Sequence, residues 1–281
     1  MSRLIVVSNR VNPPANPGEG TTGGLAMALA AAIREYKGMW FGWSGQTAPE
    51  FTGQLNIQKV GGVTVATVDL EAHDFDEYYN GFANRTLWPL FHYRIDLTAY
   101  DRAYGEGYAR VNRRFAETLA PLVEADDLLW VHDYHLIPLG RELRRLNVAG
   151  PIGFFLHIPW PPHQLLATLP RARELVESLF DYDLIGFHTE EWLDAFRDYV
   201  LKESGGSESG NGCFHAFGKT VHAIADPIGI DAADFASAAN SEAAAAHYET
   251  MRKSAEDRAI IVGVDRLDYS KGLEDRFLAY E

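Results

Sequence analysis

The chain has 281 residues, 47% of them hydrophobic and 23% charged, which is typical of a globular protein and excludes a disordered one. Its 25 basic and 39 acidic side chains give a net charge of −14, so we expect neither nucleic acid nor an anionic membrane as a partner. One cysteine, Cys213, excludes an intrachain disulfide framework and favours the reducing cytoplasm as the location.

The amino-terminal part of the chain contains three predicted strands. LIVVSNR (4–10) is an apolar run with a polar end, and a Pro/Gly-rich loop follows it at 12–24. Residues 25–36 have a helix-forming composition, and their apolar run is too short to span a bilayer. The runs at 39–45 and 63–70 predict two more strands, the second with β-branched alternation.

Strands and helices alternate through the middle of the chain. The aromatic-rich residues 72–93 predict two short helices, and an amphipathic helix follows at 108–122. The remaining elements are strands at 128–135, 152–159 and 183–190 and helices at 136–147 and 189–203. Such alternation indicates βαβ units, so the predicted fold class is α/β, with a doubly wound, mostly parallel sheet.

The carboxyl-terminal residues predict the start of a second domain. The alanine-rich residues 233–257 predict a helix, and 259–264 and 271–281 predict one more strand and one more helix. The chain stops inside this last amphipathic segment without a capping signal, which indicates a truncation. We therefore expect one complete domain at 1–257 and, at 258–281, the first strand and helix of a second domain.

Polar residues follow several of the predicted strands directly. In open α/β sheets, ligands bind outside the carboxyl ends of the strands, so these polar residues are expected to gather along one edge of the sheet. This arrangement predicts an enzyme. The residues are Asn9, Arg10, Asp133, His157, His188 and Arg266.

A glycine-rich segment lies between the first predicted strand and the first predicted helix. Gly18, Gly20 and Gly23 match the G-x-G-x-x-G pattern, but they lie too far beyond the strand, and no acidic residue closes the next strand. We therefore predict no nicotinamide or flavin cofactor. Gly23 and Gly24 precede a helix, where free N–H groups favour a phosphate; a plain flexible turn is the alternative.

The motif His132-Asp133-Tyr134-His135 contains several metal-ligand residue types. Neighbouring residues on a strand point to opposite faces, so His132 and Asp133 are expected to diverge, and the usual zinc spacing is missing. We predict no metal, and Asp133 is better suited to accept a hydrogen bond from a substrate hydroxyl. His157 either donates to a sugar oxygen or is a core histidine with its hydrogen bonds satisfied.

Three cationic residues have a pattern suited to phosphate. Arg10 follows the first strand, and its guanidinium matches phosphate oxygens in two-point geometry, although a plain exposed arginine is equally consistent. Arg266 follows the last predicted strand, and Lys271 starts the last helix. Two cations near a helix start can clamp a diphosphate; the alternative is a solvated charge pair.

The chain resembles the trehalose-6-phosphate synthase family, retaining glucosyltransferases of glycosyltransferase family 20, in a series of motifs that spans its whole length. The motifs are, in order, SNR, GGL, WFGWSG, DEYYN, LWPLFHYR, WVHDYH, FFLHIP, DPIGID and DRLDYSKG. The resemblance implies the amino-terminal half of a two-domain GT-B fold. Residues 1–257 would be a Rossmann-like acceptor-binding domain, and 258–281 would begin the nucleotide-sugar-binding domain. Family members join the glucose of UDP-glucose to glucose 6-phosphate, giving α,α-trehalose 6-phosphate and UDP.

The resemblance also implies roles for individual residues. For glucose 6-phosphate it implies Arg10, Tyr79 and Asp133. For UDP-glucose it implies Gly23 and Gly24 in a donor-side loop, Arg266 and Lys271 at the diphosphate, and His157 beside the donor glucose. Trp88 and Ile158 would shape the pocket for the α anomer. Within this set, Arg266, Lys271, Asp133 and His157 are the residues predicted to act in catalysis.

Two other functions remain open at this stage. One is glucosyl transfer to a different phosphorylated acceptor, such as glycerol 3-phosphate. The other is a non-catalytic module that binds or senses a sugar phosphate, because the residues that family members carry in the rest of a second domain are not in this sequence. The activity of this exact chain and its assembly, including a homo-oligomer, also remain open. No cofactor or metal is required if two cations neutralise the diphosphate.

Overall fold

A computed structural model describes residues 3–11, 38–60, 62–256 and 258–281. Gly23 and Gly24, together with the helix expected at 25–36, lie outside the described residues. The chain divides into two compact units, Met1–Pro227 and Ile228–Glu281. This division lies 30 residues before the expected domain boundary at 257/258, so the alanine-rich helical region belongs with the second unit.

The first unit is built on one sheet. Its described strands are β1 (Leu4–Arg10), β2 (Met39–Ala48), β3 (Asn56–Val60), β4 (Val63–Glu71), β5 (Leu128–His132), β6 (Ile152–Phe155), β7 (Leu184–Phe187), β8 (Ser207–Glu208), β9 (Cys213–Ala216) and β10 (Lys219–Ala225). They lie in the order β3-β4-β2-β1-β5-β6-β7-β10-β9-β8. From β4 to β10 every neighbouring pair is parallel, and only β3, β8 and β9 at the two edges pair antiparallel. The predicted α/β class with a mostly parallel sheet is confirmed.

The helices bury one face of this sheet. They are α1 (Ala72–Asp74), α2 (Trp88–Phe91), α3 (Arg102–Leu119), α4 (Leu139–Arg145), α5 (His163–Leu166), α6 (Ala172–Leu179) and α7 (Glu190–Lys202). Because side chains alternate along a strand, Ile5 and Val7 of β1 pack in the large core with Phe115 of α3, whereas Leu4 and Val6 belong to a smaller core on the opposite face. Near-continuous apolar strands such as β1 are therefore explained by burial on both faces.

The aromatic segment between α1 and α2 is π-helical over Phe75–Leu87, and its ladder ends with Trp88 N donating to Ala83 O. The two short helices expected at 72–93 are therefore one continuous helical stretch. A π-helix is rare and occurs mostly near functional sites, because its wider turn changes the direction of the side chains. Here it carries the adjacent residues Tyr78 and Tyr79.

Other elements agree with the sequence to different degrees. The strands at 39–45 and 63–70 and the helices at 108–122 and 189–203 are confirmed. The helix expected at 136–147 starts later, at Leu139. The strand β3 and the hairpin of β9 and β10 were not predicted, because their short, half-polar sequences carry little apolar periodicity.

The second unit, Ile228–Glu281, contains α8 (Ala232–Ala239), α9 (Glu242–Ala255) and α10 (Leu273–Tyr280). The single helix expected at 233–257 is wrong, because Ser241 accepts a hydrogen bond from Ala244 N and starts a new helix. The strand expected at 259–264 is not formed. A strand requires a hydrogen-bonded neighbour, and no strand is present among the residues described for this unit. The apolar side chains of residues 259–264 are exposed, and Val264 has 88% of its surface accessible to solvent.

A buried carboxylate anchors the helical layer beside the sheet. Asp74 is fully buried; one carboxylate oxygen accepts from Arg110 Nε at 2.8 Å and the other from Arg114 Nη1. The same two arginines reach Glu77 and Glu71, so the π-helical segment, α3 and the end of β4 are tied together. Because the ions are held by several hydrogen bonds each, removal of one partner leaves the others with uncompensated charge.

We expect Asp74→Ala to lower the free energy of unfolding by about 3 kcal/mol, because breaking a buried ion pair leaves buried charge. Urea unfolding measures this directly. Asp76→Ala is the matched control on the same helical stretch, since Asp76 is exposed and accepts a hydrogen bond from Asn80; its effect should stay within about 0.5 kcal/mol. Equal losses in the two variants would contradict this account of the ion network.

Candidate functional site

The ends of four neighbouring parallel strands meet at one edge of the sheet. Since β1, β5, β6 and β7 are consecutive in the sheet order and parallel, the residues that follow them lie along the same edge. His157 N donates to Asp133 Oδ1 at 3.3 Å, and the rings of His157 and His188 lie 5.3 Å apart. The predicted gathering is thus confirmed for Asn9, Arg10, Asp133, His157 and His188, whereas Arg266 belongs to the second unit.

Asp133 has a strained backbone at the end of β5. Its φ of 75° and ψ of 164° fall in a region that is normally occupied by glycine. Its Oδ1 accepts hydrogen bonds from Tyr134 N at 3.0 Å and from His157 N at 3.3 Å. Burial nevertheless raises the pKa of Asp133 to about 6, because removal from water disfavours the charged form more than these two donors favour it.

His132 and Asp133, which were expected to diverge, contact different parts of the same residue, His157. The strand ends at His132, and the unusual backbone of Asp133 interrupts the alternation of side chains. The ring of His132 contacts the ring of His157, and the carboxylate of Asp133 accepts from the backbone N–H of His157. Strained backbone at such a position is typical of functional sites, where the surrounding structure holds a side chain in a fixed direction.

An arginine and a row of stacked rings continue the edge toward β2. The Tyr79 ring stacks on His135 with centroids 5.7 Å apart and an interplanar angle of 11°, and it lies 5.8 Å from Trp43. The guanidinium of Arg10 lies over Trp43, 5.9 Å from the ring centroid. We call Arg10, Trp43, Tyr79 and His135 the Arg10–Tyr79 cluster. Arg10 is exposed and Tyr79 is half-buried, whereas Trp43 and His135 are buried, so a phosphorylated sugar could reach the guanidinium and the Tyr79 ring.

Gly45 was not predicted as a site residue, yet it allows the close packing of Arg10. Its φ is +91°, and a Cβ added there would lie 2.7 Å from Arg10 Nε. The positive φ favours glycine here, and any larger side chain would also have to displace the guanidinium of Arg10. A glycine at the polar end of the predicted strand MWFGWSG was the available sequence signal.

Tyr78, the sequence neighbour of Tyr79, lies in the core and not at the ligand-facing edge of the sheet. Tyr78 is fully buried, and its hydroxyl donates to Asn9 Oδ1 at 2.8 Å. Burial raises the pKa of Tyr78 well above its ordinary value, and the nearby charge of Asp133 raises it further. This hydrogen bond joins the π-helical segment to the end of β1, so it fixes the position of the adjacent Tyr79.

Trp88 and Ile158, the residues expected to shape a sugar pocket, lie in different environments. Trp88 is half-buried, and its ring lies 5.6 Å from Tyr134 and 4.1 Å from His92. Ile158 is 6% exposed and belongs to the large core. Trp88 can therefore present a face to a ligand directly, whereas Ile158 has most of its side chain in the core.

Two neighbouring histidines at this edge are hydrogen-bonded to each other. His132 Nδ1 and His157 Nε2 lie 2.9 Å apart. Burial lowers the pKa of His157 to about 3, with a further contribution from His188, and it lowers the pKa of His132 well below its ordinary value. Both rings are therefore neutral at pH 7. No role for His132 could be predicted, because a contact between the ends of two neighbouring strands is not visible in one sequence.

A cluster of Glu71, His73 and Asp74 has ligand atoms that all lie within 4.8 Å of one another. Arg110 and Arg114 already pair with its carboxylates. Two guanidinium groups neutralise the charge that would attract a divalent cation, so we interpret the cluster as part of the ion network around Asp74.

Across the described residues, no helix is long and apolar enough to cross a bilayer.

In the second unit, the predicted diphosphate ligands lie around a short turn. Lys271 ends the 3-10 turn Tyr269–Lys271, and Asp268 starts this turn by accepting from Ser270 N. An Arg266 nitrogen lies 3.8 Å from an Asp268 oxygen. Gly272, with φ +59°, then begins α10. The turn places the backbone of Lys271 immediately before the amino-terminal end of a helix, where anions are stabilised.

The family model and the most similar relatives that follow all point to the same family. The sequence profile of glycosyltransferase family 20 matches residues 3–281. Trehalose-6-phosphate synthases from Sinorhizobium fredii and Klebsiella pneumoniae are 47% and 43% identical over the whole chain. The chain spans only 61% and 59% of the length of these two relatives.

Two solved structures share this fold at high similarity. A UDP-forming α,α-trehalose-phosphate synthase from Burkholderia xenovorans, in complex with glucose-6-phosphate, matches with a TM-score of 0.93 and 48% identity. That match covers 99% of this chain and 61% of the other. A structure from Escherichia coli bound with UDP-2-fluoro glucose matches with a TM-score of 0.89 and 43% identity, covering 99% and 60%.

Proposed function

Because the chain belongs to glycosyltransferase family 20, we propose that it serves the transfer of glucose from UDP-glucose to glucose 6-phosphate with retention of configuration. The products would be α,α-trehalose 6-phosphate and UDP. The chain spans about three fifths of the length of its relatives, so the proposal concerns the activity of the protein to which these residues belong. The single cysteine is consistent with action in the reducing cytoplasm.

The observation that supports this proposal best is the edge where Arg10, Tyr79 and Asp133 lie. The Arg10–Tyr79 cluster offers an exposed guanidinium for a phosphate and, beside it, the half-buried ring of Tyr79 for a sugar. Asp133 offers a carboxylate oriented by two backbone N–H groups. The relative with 48% identity is described as a complex with glucose-6-phosphate, and we propose the same acceptor for this chain.

We propose a front-face route for the reaction. The bond between the anomeric carbon of glucose and the β-phosphate oxygen of UDP breaks, while a bond forms to the anomeric hydroxyl oxygen of the acceptor. The proton of that hydroxyl passes to the leaving phosphate oxygen. An enzyme carboxylate that attacks the anomeric carbon is the usual alternative for retention, and this route does not require one.

The residues would contribute orientation and charge. Arg10 would hold the acceptor phosphate, and Tyr79 and Asp133 would hold its sugar, so that the reacting hydroxyl is positioned in advance; such positioning can lower a barrier by up to roughly 10 kcal/mol. Arg266 and Lys271 would stabilise the negative charge that grows on UDP as the bond breaks. His157 would donate a hydrogen bond to the donor glucose, and Trp88 and Ile158 would favour the α anomer.

The test is release of UDP from UDP-glucose by the protein to which these residues belong, with and without glucose 6-phosphate, together with a mass spectrum of the product. We expect UDP release that depends on the acceptor and a product with the mass of trehalose 6-phosphate. A product with the mass of a glucosylglycerol phosphate, formed only with glycerol 3-phosphate, would replace the proposed acceptor. Binding of glucose 6-phosphate in calorimetry without turnover would favour a non-catalytic sugar-phosphate module.

A further inference from the structure

The paired histidines at the ends of β5 and β6 determine where their protons lie. His132 Nδ1 and His157 Nε2 are 2.9 Å apart, so one of them donates and the other accepts. The second nitrogen of His132, Nε2, is buried and has no hydrogen-bond partner within the part of the chain that the structure describes. His157 Nδ1 also has no partner among the described residues, but His157 is only half-buried.

Both rings are neutral, so each carries one proton. Burial lowers the pKa of both histidines, and the His188 ring beside His157 would oppose a second positive charge. Two arrangements are then available. In the first, His132 carries its proton on Nδ1 and donates to His157 Nε2. In the second, His157 carries its proton on Nε2 and donates to His132 Nδ1.

The unpartnered nitrogen of His132 distinguishes these arrangements. In the second, His132 must carry its own proton on the buried Nε2, which becomes an N–H donor without an acceptor. In the first, the same buried atom is only an unused lone pair. Orphaned buried N–H groups are rarer in proteins than under-used acceptors, and leaving a donor unpaired costs about 1–3 kcal/mol.

We propose that His132 is a positioning residue that donates from Nδ1 to His157 and thereby holds His157 as the tautomer with its proton on Nδ1. His157 then offers a neutral N–H donor at the ligand-binding edge of the sheet. Its ring is also held between two contacts, the hydrogen bond to His132 and the edge-to-face packing against His188. The backbone of the same residue is held by Asp133.

The neutral donor suits one chemical class of ligand group. A sugar hydroxyl can accept a hydrogen bond from His157 Nδ1 without the desolvation cost of a charged partner, whereas a phosphate would be better matched by a cation. In this respect the inference rests on the proposed function, because the hydroxyl would belong to the donor glucose. The tautomer itself does not depend on any activity.

The decisive measurement is the ring nitrogen spectrum of His157 in the ligand-free chain, recorded by two-dimensional ¹H–¹⁵N NMR with histidine labelling. We expect Nδ1 to show the shift of a protonated nitrogen and Nε2 that of an unprotonated one at pH 7. Protonation on Nε2 in the unsubstituted chain would overturn the proposal. This readout needs no variant and no turnover, so failure of the proposed function would leave it intact.

Two variants then test the role of His132. In His132→Asn the amide can still donate near the original Nδ1 position, so the His157 spectrum should be preserved and the KM for UDP-glucose should stay within about threefold. In His132→Phe the donor is lost, so the Nε2 tautomer of His157 should gain population and KM should rise about tenfold, as for other lost supporting hydrogen bonds. An unchanged His157 spectrum in a folded His132→Phe protein would contradict the positioning role.

Discussion

If Asp133 holds the sugar of glucose 6-phosphate as proposed, Asp133→Asn is expected to lower kcat/KM for this acceptor at least about a hundredfold, because a charged hydrogen-bond acceptor becomes a neutral amide. The same substitution should stabilise the ligand-free protein near pH 7.5. A carboxyl whose pKa is raised from 3.8 to about 6 on folding binds its proton more tightly in the folded state. The free energy of unfolding therefore falls as pH rises through this interval, by on the order of 2 kcal/mol.

Thermal unfolding at two pH values measures the stability part of this prediction. Asparagine keeps the side-chain oxygen that accepts from the backbone of Tyr134 and His157, and it tolerates positive φ better than most residues. The unfolding temperature of Asp133→Asn should exceed that of the unsubstituted chain by about 4 °C at pH 7.5, and the difference should disappear near pH 4. Asp126→Asn, at an exposed residue just before β5, is the control and should change neither property. A variant that retains full activity would remove Asp133 from the proposed acceptor site. A variant that is destabilised at both pH values would contradict the stability part of the prediction.

In the full-length protein, Lys271→Ala is expected to reduce kcat/KM for UDP-glucose between about a hundredfold and a thousandfold, the usual effect of removing one group that stabilises developing charge, which is the role we propose for Lys271. The local turn should survive, because Asp268 caps it through Ser270 N and Lys271 contributes only its backbone. Steady-state kinetics of UDP release is the measurement.

Two further variants make the Lys271 prediction specific. Lys253→Ala removes an exposed lysine from α9 in the same unit and should leave the kinetics unchanged. Lys271→Arg retains the positive charge and should recover part of the lost activity. If Lys253→Ala and Lys271→Ala had the same effect, general electrostatic attraction of the anionic substrate would be a sufficient explanation.

The parts of the fold that could be predicted are those with strong apolar periodicity. The strand β1 is buried on both faces, and β5, β6 and β7 are largely buried apart from Leu128 and Leu184; their apolar runs identified both the strands and the polar residues at their ends. The hairpin of β9 and β10 lies at the edge of the sheet, where alternate residues face water. Its sequence therefore carries a weaker signal.

For the candidate site, the sequence predicted which residues lie at one edge of the sheet but not the contacts between them. Asp133 and His157 were expected at the same edge, yet the glycine-like backbone of Asp133 and the bond between His132 and His157 depend on neighbouring strands. Gly45 is similar, because its role is clear only when the guanidinium of Arg10 is seen beside it. Contacts between distant parts of a chain are set by packing, and local patterns do not encode them.

The π-helical segment has a consequence for how this chain tolerates changes in length. Tyr78 and Tyr79 are consecutive, but one is fixed in the core by Asn9 and the other is stacked on His135 at the surface edge. A π-helix has more residues per turn than an α-helix. Deletion of one residue between Phe75 and Leu87 would therefore let the segment return to α-helical geometry. The side chains that follow the deletion would then be rotated about the helix axis. Single-residue insertions or deletions in this segment should therefore be tolerated less well than most substitutions, even though the segment lies outside the sheet.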